Sequence, residues 1–105
     1  MRTESLILEN LIYNGHYSSV IGIFLKPEYF KAYPEKIVFT EIQNHILEYN
    51  KPPTLPALEN MITSRDDLNE TTFKNCMEVL TTYKTKTDDH EWLVNETEKW
   101  AKDQA

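Results

Sequence analysis

The chain has 105 residues, of which 40% are hydrophobic and 27% charged. That composition is ordinary for one soluble globular domain and argues against disorder. Only 2 glycines and 5 prolines are present, too few turn residues for a β-sandwich or barrel, so the composition leans helical. Seventeen acidic against eleven basic residues leave a net charge of −6, and the only arginines are Arg2 and Arg65. The densest basic stretch, Lys84 to Lys86, runs at once into Asp88 and Asp89. Such a surface opposes tracking of nucleic-acid phosphates or an anionic membrane.

In chain order, Leu6, Ile7, Leu8, Leu11 and Ile12 recur at helical spacing, and Asn14-Gly15 stops this first helix. A second, short helix is predicted through Val20, Ile21 and Phe24, ending before Lys26-Pro27. Pro27 to Phe30 reads as a single turn whose Tyr29 and Phe30 plug the core.

The third helix has the clearest pattern. Pro34 suits its first turn, and Val38, Ile42, Ile46 and Tyr49 follow at i, i+4, i+8 and i+11, with Phe39 beside them. Glu35, Lys36, Glu41, Asn44 and Glu48 are assigned to the outer face. Asn50-Lys-Pro-Pro53 ends the helix, and Thr54 caps a fourth through Leu55, Leu58, Met61 and Ile62.

Asn69 is the expected cap of a fifth helix, with Leu68 and Phe73 as a hydrophobic staple and Phe73, Cys76 (or Met77) and Leu80 as its stripe. Lys84 to Thr87 reads as a polar loop. Asp88 and Glu91 approximate a capping box for a last helix through Trp92, Leu93 and Trp100. That helix reaches Ala105 without a stop signal, so the chain is expected to continue in a longer protein. The sum is an all-α bundle of about six helices.

Little in the sequence supports catalysis. His16, His45 and His90 lie far apart, and none has a His or Cys at metal-ligand spacing, so no metal site is expected. The single cysteine, Cys76, excludes an internal disulfide and fits a reducing compartment. It reads as a small core hydrophobe rather than a nucleophile. The carboxylate pairs at 66–67 and 88–89 adjoin helix starts, where the dipole favours negative charge. Gly15 and Gly22 alone form neither a phosphate-binding loop nor G-x-G-x-x-G, so no catalytic or cofactor-binding residue is assigned. The sequons at Asn69 and Asn95 mean nothing without secretion. No apolar run is long enough for a membrane span, and the N-terminus lacks a signal-peptide core. The last helix is thin for a core helix, and aromatic anchors are typical of interfaces. Trp92, Leu93, Glu96 and Trp100 are therefore the candidate interface. If this helix is the first arm of a hairpin, Trp100 is expected to pack mainly on another chain or on the missing second arm, and Trp92 to be the more buried within this chain.

Several segments together resemble a known family. They are Phe24-Leu-Lys-Pro-Glu-Tyr-Phe30, Val38-Phe39, Ile42 to Leu47, Tyr49-Asn-Lys-Pro52 and Thr54 to Leu58. In this order and spacing they resemble the N-terminal domain of DnaB-like hexameric replicative helicases, most nearly the T-even phage type. Asp89 to Val94 and Glu96 to Trp100 are the most distinctive stretches of that likeness. Glu35 stands where many bacterial members carry His, and Asn50 where they carry Gly. The resemblance implies a helical head over residues 1–87 and, over 88–105, the start of a helical hairpin in which Trp92 and Trp100 face a neighbouring subunit. It implies a hexameric ring, contacts with primase and helicase loader, and weak or no direct DNA binding by this segment. It also implies a host-cytoplasmic location, and a motor domain elsewhere on the parent chain that alone would use ATP and Mg. Two other readings compete: a freestanding helical adaptor similar to a primase helicase-binding domain, and a small enzyme with paired carboxylates in a helical groove.

Overall fold

A computed structural model describes residues 3–81, 83 and 89–104 of the chain. Among these residues there are six α-helices and one 3-10 turn, and no strand. The helices are α1 (Thr3–Tyr13), α2 (Gly15–Ile21), α3 (Tyr33–Tyr49), α4 (Leu55–Thr63), α5 (Glu70–Thr81) and α6 (His90–Gln104), with the 3-10 turn at Pro27–Tyr29. The all-α bundle expected from the sequence is the architecture observed. The predicted loop over Lys84 to Thr87, and Asp88, lie outside the described residues.

Helix α3 is the axis of the bundle. Ile37, Val38, Phe39, Ile42 and Ile46 are all buried, and α1, α4, α5 and the 3-10 turn all pack against α3. Its C-terminus is set by Asn50, which takes the left-handed conformation at φ 61° and ψ 24° while its N–H bonds the Ile46 carbonyl. Asparagine tolerates that region better than any residue but glycine.

Two parts of the α3 expectation fail. Glu35 is buried, not on the outer face, and its carboxylate accepts from Ser5 Oγ at 3.5 Å. Tyr49 is exposed, and its ring rests beside His45 of its own helix rather than in the core.

The caps at Thr54 and Asn69 follow the prediction: Thr54 Oγ1 accepts the Ala57 N–H at 3.2 Å, and Asn69 Oδ1 accepts that of Thr72 at 2.7 Å. Leu68 and Phe73 both pack against the core, as a staple requires. The cap of α6 is Asp89, whose Oδ2 accepts the Trp92 N–H at 3.0 Å.

Between α1 and α2 the chain does not merely stop; it turns. Asn14 ends α1 and caps α2 through its side chain, which accepts the Tyr17 N–H at 3.2 Å. Ser18 Oγ then donates to the carbonyls of Leu11 and Asn14, tying the two helices together. Helix α2 ends at Ile21, earlier than the apolar pattern predicts, and Phe24 lies beyond it, 75% exposed. Gln43 of α3 holds this departing strand of chain by donating to the carbonyls of Gly22 (3.2 Å) and Leu25 (2.8 Å). A Cβ on Gly22 would meet Ile46 Cδ1 and Ser18 O at 2.6 Å, so only glycine permits α2 to approach α3 this closely.

Arg65 fastens the α4–α5 connection. Its guanidinium takes Asp67 in two parallel bonds (2.9 and 2.7 Å) and Glu41 of α3 at 3.0 Å. The Arg65 hydrogen bonds hold the Asp67 carboxyl below its ordinary value of 3.8. A depressed carboxylate adds stability above its unfolded value and loses it as pH falls through the folded one. Unfolding measured from pH 6 down to 2 should therefore show part of the acid-induced loss below about pH 4 disappear in Arg65→Met. A slope identical in both proteins would refute the assignment. In the core, Ile42→Ala should cost about 2–5 kcal/mol in urea unfolding, as truncation of a buried Ile does.

Candidate interaction surface

Leu93, Thr97 and Trp100 stand at i, i+4 and i+7 on α6, one line along the helix. All three are buried, against α1, α2 and the 3-10 turn. Thr97 is a polar residue in an apolar seam, and its hydroxyl is satisfied twice. Oγ1 donates to the Leu93 carbonyl at 2.8 Å, which uses its only proton, so the Tyr17 hydroxyl must donate to Thr97 across 2.7 Å. Burial pushes the Tyr17 phenol well above its ordinary value, with the Thr97 bond partly opposing this, so the group remains a donor.

Trp100 lies among aromatic rings. Its ring sits 4.9 Å from Phe30 and, edge-on, 6.2 Å from Tyr29, and Phe30 in turn stacks on Phe39 at 4.7 Å. Only 8% of Trp100 is exposed, whereas Trp92 is 48% exposed. This reverses the expected order. Eight residues at 100° each place Trp92 about 80° from Trp100, so once the Leu93–Thr97–Trp100 line faces inward, Trp92 turns toward solvent. Of the candidate interface residues, Leu93 and Trp100 belong to the core of this chain, and Trp92 and Glu96 remain accessible. Glu96 pairs with Lys99 at 3.5 Å, an exposed contact of small energetic consequence.

Other apolar side chains that sequence periodicity assigned to the interior, or did not single out, are at the surface. Val20 is exposed on α2, and Ile23 and Phe24 are exposed on the chain leaving it. Phe24, with Ile21, Leu25 and Tyr29, forms one wall of a groove of about 380 Å³ whose other wall is Thr97, Glu98, Ala101 and Lys102 of α6. A sequence signal for this is that no apolar residue follows Phe24 at helical spacing, where Pro27 and Glu28 stand.

The histidines are less isolated than their spacing indicates. His16 and His90, from the first turns of α2 and α6, lie with ring centroids 4.1 Å apart. No group of three or more His, Cys, Asp or Glu that could hold a metal ion occurs among the described residues. Cys76 is buried, and desolvation raises its thiol above the ordinary value, which disfavours the nucleophilic thiolate. No helix among the described residues is long and apolar enough to cross a membrane.

The class of protein so defined is a small all-α head with accessible aromatic and aliphatic side chains on α6, α3 and the α2 exit. No family model matches the chain. It is, however, 32% identical over 100 residues to the DnaB-like replicative helicase of Enterobacteria phage T4, a match spanning 95% of this chain and 21% of that protein. The chain is thus related to the DnaB-like replicative helicases, as a counterpart of their N-terminal domain, in agreement with the motif order seen in the sequence.

The burial pattern of α6 sets a direct test by thermal or urea unfolding. Trp100→Ala should cost about 3–5 kcal/mol, and Trp92→Ala no more than about 0.5 kcal/mol. Equal losses would mean that α6 is rotated from the orientation described.

Proposed function

We propose that this chain is the non-catalytic assembly and docking head of a phage-type replicative DNA helicase, supporting hexamer ring formation and contacts with primase and helicase loader. The observation that carries the reading is the T4 relative: nearly all of this chain aligns with about a fifth of a replicative helicase. The two glycines of the chain cannot build a phosphate-binding loop, which agrees with a head that leaves ATP and Mg to a motor domain elsewhere on the parent protein. The net charge of −6 agrees with a module that binds proteins and leaves single-stranded DNA to others. We read residues 1–87 as the head and 88–105 as the first arm of a hairpin. The Leu93–Thr97–Trp100 line ties that arm to the head, and the Trp92 and Glu96 side is left for a neighbouring subunit.

In the full-length helicase carrying this domain, Trp92→Ala combined with Glu96→Ala should lower the hexamer fraction seen by native mass spectrometry. The melting temperature of the 105-residue chain carrying the same changes should stay within about 2 °C of the parent, as expected of exposed sites. The chain alone should show no DNA-stimulated ATPase activity. Unchanged hexamers, or ATP turnover by the purified chain, would overturn the proposal.

A further inference from the structure

A second groove, of about 420 Å³, runs between α3 and α4 on a face that α6 does not touch, and its chemistry is one-sided. Glu41, His45, Glu48 and Tyr49 of α3 line it, opposite Asn60 of α4, and no Lys or Arg side chain does.

His45 Nδ1 lies 2.8 Å from the Lys51 carbonyl oxygen. A carbonyl only accepts, so Nδ1 carries a proton, and Nε2 is an acceptor whenever the ring is neutral. Tyr49 packs one side of its ring on His45, at a centroid distance of 4.6 Å, and is 56% exposed. Glu48 has no ion-pair partner among the described residues. At the end of the same groove Glu41 already holds a guanidinium, that of Arg65, at 3.0 Å.

We infer that this groove receives an arginine side chain from a basic segment of a partner protein. A guanidinium is planar, donates in a fork to a carboxylate and stacks on aromatic rings. The groove supplies the matching parts: the Glu48 carboxylate, the open side of the Tyr49 ring and the Nε2 acceptor of His45. A lysine ammonium would gain the charge attraction but neither the fork nor the stacking. The occupant is a different protein rather than a second copy, because this chain carries a net charge of −6 and no basic run, so a copy of itself would bring like charge to an acidic groove. The inference deepens the docking part of the proposed function and rests on that reading only for the occupant being a protein.

The test is NMR titration of the 105-residue chain with a blocked arginine-rich hexapeptide, alongside its lysine and citrulline counterparts. Amide shifts should be confined to the neighbourhood of His45, Glu48, Tyr49 and Asn60. The lysine peptide should bind about tenfold more weakly, and the citrulline peptide should produce no shifts. Glu48→Gln and Tyr49→Ala, both at exposed positions, should each weaken arginine binding about three- to tenfold and leave the melting temperature unchanged. The control Glu70→Gln, on α5, should bind like the parent. Equal affinity for arginine and lysine peptides, with equal effects of Glu48→Gln and Glu70→Gln, would reduce the contact to attraction by net negative charge and overturn the inference. So would shifts elsewhere on the chain, or groove shifts that grow with protein concentration in the absence of peptide. None of these outcomes would alter the hexamer fraction that tests the proposed function, so the two can fail separately.

Discussion

Helix α3 carries apolar side chains over about half of its circumference, from Ile37 round through Val38, Ile42 and Ile46 to Phe39, and all of them must be kept from water. One neighbouring helix cannot cover such an arc. The bundle is the answer to that constraint: α1, α4, α5 and the 3-10 turn each take part of the α3 surface. The polar devices serve the same arrangement. Gln43 pins the exit of α2 to α3, Gly22 allows the close approach, and Arg65 fixes the α4–α5 connection to Glu41 of α3.

Helix α6 is joined to α3 through an aromatic chain. It packs on α1 and α2, and Trp100 touches Phe30, which stacks on Phe39 of α3. The Tyr17–Thr97 hydrogen bond registers it, since a slide of α6 along α2 would bury a hydroxyl without its partner, a cost of roughly 1–3 kcal/mol. The side of α6 turned away from the head, with Trp92, is thereby held in a defined direction. The proposed contact of this helix with another subunit would gain from this, because less ordering would remain to be done on binding.

The exposed apolar side chains fall on separate parts of the surface. Trp92 belongs to α6, Phe24 and Ile23 to the exit of α2, and Leu47 and Tyr49 to the end of α3. The Tyr49 region sits beside Glu48, which has no ion-pair partner among the described residues, whereas the Phe24 groove has both Glu98 and Lys102 on its wall. Surfaces that differ in charge in this way are suited to different occupants. The proposed head, which would both assemble with its own copies and dock other proteins, needs such a division.

Most of the helix plan was legible in the sequence, because it depends on local physics: period, caps and proline. Thr54 and Asn69 cap where their side chains predict, and Asn50 ends α3 in the one backbone region that suits it. The likeness to a DnaB-like replicative helicase was legible too, and the chain is 32% identical over 100 residues to the T4 protein. What only the tertiary structure decided was which apolar residues go inside. Periodicity shows that Leu93 and Trp100 share a line, but not whether that line meets its own head or another chain. The presence of Phe30 and Tyr29 at the right distance settles it, and that distance is set by residues sixty or more positions away. The same holds for Glu35, Phe24 and Tyr49, and for the His16–His90 pair. Burial is a property of what the rest of the chain brings alongside, and no local pattern contains it.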